Sequence, residues 1–92
     1  VPVDPSWCGV YPNPFNGPVT VNFVLYHPAE VELNVLDISG RCVQSQPFGR
    51  FDTGAHSVEF DPFRGTILAG GVYIFQLKGA GRSGLFRAVL LK

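Results

Sequence analysis

The chain has 92 residues, enough for one domain with a modest core, and contains no apolar run long enough to span a membrane as a helix. Its zero net charge hides an asymmetry: residues 1–63 hold all seven acids against Arg41 and Arg50 (net −5), and residues 64–92 hold Arg64, Lys78, Arg82, Arg87 and Lys92 with no acid (net +5). Five scattered cations make no dense stripe, which argues against nucleic acid as a partner. The charge split fits strands of the two halves lying side by side, or a basic C-terminal edge that meets an acidic partner such as another copy of the chain.

Tyr11-Pro12-Asn13-Pro14-Phe15-Asn16-Gly17-Pro18 comes ahead of the first alternating run. Proline has no N–H to give a ladder, so this segment is expected as a kinked lead-in and not as a central strand. Val19, Val21, Phe23 and Leu25 then share one face of a strand, and Val31, Leu33 and Val35 repeat the design after a turn at Tyr26 to Glu30. Asp37-Ile38-Ser39-Gly40-Arg41 supplies a hairpin connection, because Asp bonds forward to the backbone and Gly takes positive φ. Cys42 to Phe48 reads as a polar edge strand, Gly49 to Gly54 as a loop, and His56 to Phe60 as a short strand. After an irregular stretch from Asp61 to Gly70, Gly71 to Lys78 alternates cleanly, with Tyr73, Phe75 and Leu77 on one side and Val72, Ile74 and Gln76 on the other. Leu85 to Leu91 forms the last strand. The expected fold is all-β: an immunoglobulin-like antiparallel β-sandwich of about seven strands over residues 11–92, preceded by an N-terminal arm over residues 1–10. A chain without methionine that starts at Val1 fits a processed protein or an excised domain.

Motifs with catalytic potential are better explained by structure. Gly79-Ala80-Gly81-Arg82-Ser83-Gly84 has the G-x-G-x-x-G spacing, yet a strand follows it where a dinucleotide site needs a helix, so a hairpin tip is expected. His56 and Ser57 are strand neighbours that point to opposite faces and make no triad; His56 and Asp52 meet at most within one loop. Asp37, Asp52 and Asp61 have ordinary turn roles and no calcium-loop spacing, so no metal or other cofactor is expected. Phe48, Phe51, Phe60 and Phe63 are expected to fill the open end of the sandwich, or to form a docking patch if exposed. Cys8 and Cys42 lack zinc-site spacing. In a secreted chain they suggest one disulfide, with two buried thiols as the alternative.

Five segments in register resemble the C-terminal sorting domain of type IX secretion. They are Tyr11 to Asn16 (Y-P-N-P-F-N), Asp37 to Val43 (D-x-x-G-R-x-V), Gly54 to Asp61 (similar to G-x-H-x-V-x-F-D), Gly71 to Leu77 (G-V-Y-x-x-x-L) and Val89 to Lys92 (V-L-L-K). The flagellar hook-capping immunoglobulin-like domain shares much of this pattern. The resemblance implies a non-enzymatic sandwich that ends a secreted or cell-surface bacterial protein, is read by the outer-membrane translocon, and is commonly removed during surface attachment. The Asn16-Gly17-Pro18 turn is shorter than the family's, and the Cys8/Cys42 pair is not one of its hallmarks. On this reading the C-terminal strand presents Arg87, Val89, Leu91 and Lys92 to the secretion machinery. The alternative is a complete extracellular subunit that self-assembles into a filament or surface layer, its N-terminal arm with Trp7 lying on a neighbour's sheet edge. A carbohydrate module is disfavoured, because Trp7, Tyr11, Tyr26 and Tyr73 share no evident face.

Overall fold

The computed structural model describes residues 7–64 and 68–91. Seven strands follow one another: β1 (Cys8–Tyr11), β2 (Val19–Leu25), β3 (Ala29–Asp37), β4 (Cys42–Phe51), β5 (Gly54–Phe60), β6 (Gly71–Gly79) and β7 (Arg82–Leu90). They form two antiparallel sheets, one in the order β1-β2-β5 and the other in the order β4-β3-β6-β7. The expected seven-stranded sandwich is what the chain adopts. No helix among the described residues is long and apolar enough to cross a membrane.

Period-two alternation builds the core directly. Val19, Val21, Phe23 and Leu25 of β2 face Val31, Leu33 and Val35 of β3 and Phe75 and Leu77 of β6, all essentially without solvent exposure. Each such side chain contributes about 1.5–3 kcal/mol when fully buried. Phe75 lies at the centre, edge-on to Phe15 at 5.5 Å and to Phe60 at 6.3 Å. Phe48, Phe51 and Phe63 are partly buried and pack against this cluster, so they complete the core and form no separate patch.

Several boundaries differ from the sequence expectation. Residues 8–10 were expected in an arm, yet Cys8–Tyr11 is a paired strand, Cys8 opposite Phe23 and Tyr11 opposite Thr20. Of the expected arm, only residues 1–6 lie outside the described residues. β4 runs on to Phe51 where a loop was expected from Gly49, because Phe48 is an extra residue between the pairs Glu32–Pro47 and Val31–Gly49. That bulge, with Gly49 at φ 94°, keeps the ladder going and lets Phe51 reach Phe23 at 5.1 Å. β7 starts at Arg82 and not Leu85, since Ala80 and Gly81 close a two-residue turn with φ of 53° and 74°. Two positive φ values suit the right-handed strand twist in such a hairpin.

The disulfide expectation is overturned: no bridge joins Cys8 and Cys42. Cys8 is buried on β1, its Sγ packed onto Gly84 of β7 in space that any Cβ at that position would need. Cys42 is exposed and opens β4, at the other edge of the four-stranded sheet. Three strand spacings separate β4 from β7, roughly 14 Å, while a bridge needs Cα atoms within about 7 Å.

The charge asymmetry has a partial structural answer. Glu32 of β3 sits directly opposite Lys78 of β6, so acids of the first half and cations of the second do meet across strands. The β3–β4 turn is held by Asp37, whose Oδ1 accepts from Ser39 N (2.9 Å), Ser39 Oγ (2.6 Å) and Arg41 N (3.0 Å). Arg41 Nε pairs with Asp37 Oδ2 at 3.3 Å. The Ser39 hydroxyl above all, helped by the Arg41 and Ser39 backbone N–H groups and the Arg41 guanidinium, holds the Asp37 carboxyl below its ordinary value against the opposing effect of desolvation.

Candidate recognition surface on the last strand

β7 is an edge strand, so one side of its backbone has no ladder partner within the sheet. Its residues 84, 88 and 90 face the core, and Leu85, Arg87, Val89 and Leu91 face outward. Sequence analysis singled out Arg87, Val89, Leu91 and Lys92 for presentation to a partner. Arg87 and Leu91 are exposed, Val89 is half-buried, and Lys92 lies outside the described residues.

The backbone of this stretch is already engaged. Asn13 acts as a side-chain peptide group: its Nδ2 donates to Arg87 O at 2.9 Å, and its Oδ1 accepts from Val89 N at 3.1 Å. Phe15 continues the pattern through its main chain, donating to Val89 O at 2.8 Å and accepting from Leu91 N at 2.9 Å. The result is a short parallel bridge at the edge of the sheet. The Phe15 ring is 1% exposed, so the core holds this cover in place. Pro12 and Pro14 alternate with these two residues and bring no N–H that would need a partner of its own. The sequence marked the segment as a lead-in to β2; its role as cover for β7 escaped that reading, because it joins residues 74 to 76 positions apart.

The outward side chains of β7 continue onto its neighbours. Arg87 is opposite Ile74 of β6, which is opposite Leu36 of β3; Val89 is opposite Val72. Leu36, Val72, Ile74 and Val89 are half-buried, Leu85 is 40% exposed and Leu91 54%. Sequence analysis set Val72 and Ile74 on the opposite side of their strand from Tyr73, Phe75 and Leu77, and the structure turns that side outward. Two aliphatic residues where alternation calls for polar ones were the available signal. Further along the same face, toward the β6–β7 turn, the surface turns polar. Asn34 Nδ2 donates to Glu32 Oε2 (3.1 Å) and Gln76 Oε1 (3.3 Å), Ser45 Oγ donates to Asn34 Oδ1 (2.7 Å), and a cleft of about 280 Å³ has Glu30, Glu32 and Lys78 in its wall.

Trp7, which the alternative reading lays on a neighbour's sheet edge, is 3% exposed and belongs to the core cluster. The Arg82 guanidinium lies over its ring at 4.5 Å and over Tyr26 at 5.3 Å, while donating to Val24 O at 3.0 Å. Such stacking contributes about 0.5–2 kcal/mol. Trp7 thereby ties the start of the described chain to the β6–β7 turn. His56 does meet Asp52, its Nε2 lying 2.7 Å from the Asp52 carbonyl, and its ring packs against Phe23 and Phe51.

The family model of the secretion system C-terminal sorting domain matches residues 9–89, from β1 to the penultimate residue of β7. The chain belongs to that family. No curated protein matches it. The sorting domain is a non-catalytic targeting module of type IX secretion; it directs its protein to the exterior or to attachment at the cell surface, and its role implies contact with the secretion machinery. The matched span begins within β1, so the paired strand Cys8–Tyr11 and the cover over β7 both fall largely or wholly inside the sorting domain.

Proposed function

We propose that the secretion machinery reads this sorting domain through the outward side chains at the end of β7: Arg87, Val89 and Leu91, with Lys92 next in the chain. One observation carries the reading. The Arg87 carbonyl, both outer groups of Val89 and the Leu91 N–H are already bonded to Asn13 and Phe15, so strand addition at this stretch would have to displace them. Side chains are what the edge has left to offer. They comprise one cation and two aliphatic groups, a mixture that combines steering by charge with burial of apolar surface.

The test is a cargo protein fused ahead of this domain in a bacterium that runs type IX secretion. Deleting Val89 to Lys92 is expected to leave the cargo in the periplasm, and undiminished export of the shortened fusion overturns the proposal. No observation favours the alternative of a subunit that polymerises through strand edges and an N-terminal arm. The edge of β7 is covered where that contact was sought, and Trp7 is buried.

A further inference from the structure

We infer that the recognition surface extends beyond the last strand. It is a composite aliphatic face of β3, β6 and β7, centred on Leu36, Val72, Ile74 and Val89, and it docks on an aliphatic surface of the secretion machinery that carries a carboxylate opposite Arg87. The inference rests on the proposed role of β7 and adds residues 15 to 53 positions away from Val89 in sequence, a spacing of the same kind as the cover's.

The first support is a contrast between the two outer faces of the sandwich. On the three-stranded sheet the outward positions are Gly9 and Tyr11 on β1, Thr20, Asn22 and Val24 on β2 and Ala55, Ser57 and Glu59 on β5, a mostly small or polar set without a cluster of large aliphatic residues. On the four-stranded sheet, the end near the β3–β4 turn breaks that pattern. Cross-strand neighbours lie about 5 Å apart and same-face residues about 7 Å apart along a strand, so the four aliphatic side chains form one contiguous surface. Leu85 and Leu91 extend it along β7, and Ile38, 78% exposed at the turn, adjoins it beyond Leu36.

The second support is charge. Arg87 is the one cation set among these residues, and among the described residues no carboxylate lies within ion-pair distance of it. The nearest acid by register, Asp37, is committed to Ser39 and Arg41. Residues 64–92 contain no acid at all. The opposite end of the same face places acids and cations in register, Glu32 opposite Lys78 and Glu30 opposite Arg50. Among the described residues none supplies Arg87 with a carboxylate, so a partner that brings one meets an uncommitted guanidinium whose aliphatic surroundings lower the local dielectric and strengthen the pairing.

Because three strands supply the surface, it exists only once the domain has folded. The same cargo fusion tests this with Leu36→Lys, Ile74→Lys, Arg87→Glu and Arg87→Lys, and with Thr20→Lys on the polar face as control. Protease resistance of the periplasmic fusion reports folding; Leu36→Ser and Ile74→Thr serve if a lysine variant loses it. Exported cargo is expected to fall roughly tenfold for the Leu36, Ile74 and Arg87→Glu variants, as for loss of an interface hot spot, with Arg87→Lys and Thr20→Lys close to the parent. Normal export of the Leu36 and Ile74 variants, with the Val89–Lys92 deletion still retained, overturns the composite face and leaves the role of β7 standing. Normal export of all of them overturns both. Flotation of the purified fusion with phosphatidylglycerol vesicles, if abolished by Arg87→Glu, reassigns the face to lipid and also overturns the inference; no flotation is expected.

Discussion

The four-stranded sheet has two edges, β4 and β7, and they are protected in different ways. β4 carries its own protection: Pro47 removes a donor, and register shifts fall opposite Val31/Glu32 and Val35/Leu36. β7 has neither proline nor bulge and runs in unbroken register with β6 from Arg82 to Leu90. Its protection is brought from the other end of the chain, by the Asn13 amide and the Phe15 backbone. A locally guarded edge keeps strangers off at the expense of regular geometry. A covered edge stays straight, and a straight strand presents Leu85, Arg87, Val89 and Leu91 at even spacing, which suits a strand that has to be read.

Phe15→Ala attacks the covered edge at its anchor. Removing a fully buried ring from the contact with Phe75 is expected to cost about 3–5 kcal/mol in chemical denaturation. A loss below about 1 kcal/mol means the ring does not hold the cover in place. Asn13→Ala leaves the core intact and removes two hydrogen bonds, about 1–2 kcal/mol in sum at this exposed site. Amide exchange at Val89 is expected to accelerate while amides paired between β6 and β7 keep their protection; an unchanged Val89 rate contradicts the cover. The turns that launch the two edges offer a finer comparison. Ala80 holds φ 53° without the freedom of glycine, so Ala80→Gly is expected to gain about 0.5–1 kcal/mol in thermal unfolding.

At the guarded edge, Pro47→Val returns a donor to β4 and is expected to change stability by less than about 0.5 kcal/mol while raising self-association in light scattering. If scattering is unchanged, the bulges suffice without the proline. The smallest effect concerns pH. The Asp37 carboxyl is held below its ordinary value in the folded chain, so its contribution to the β3–β4 turn is complete above about pH 4 and fades as pH falls through the lower folded value. A carboxyl titration by NMR is expected to place Asp37 below the ordinary aspartate value, and Asp37→Asn to abolish the acid sensitivity of the Ser39 and Arg41 amides.

Much of this follows from sequence by itself. Alternation with period two set the strands and their inward residues, because a strand buried on one face leaves no other choice for Val19 to Leu25 or Tyr73 to Leu77. Local chemistry set both hairpin turns, since Asp37, Gly40 and the Gly79–Gly81 stretch act within a few residues. The ordered motifs set the family. Tertiary structure decided everything that depends on distant residues meeting. It put Cys8 and Cys42 toward opposite edges and buried Trp7 under Arg82. It also turned Asn13 and Phe15 into the cover of the last strand, and lined up Leu36, Ile74 and Arg87 across three strands. Strand order and register fix those meetings, and neither is carried by the pattern of any one segment.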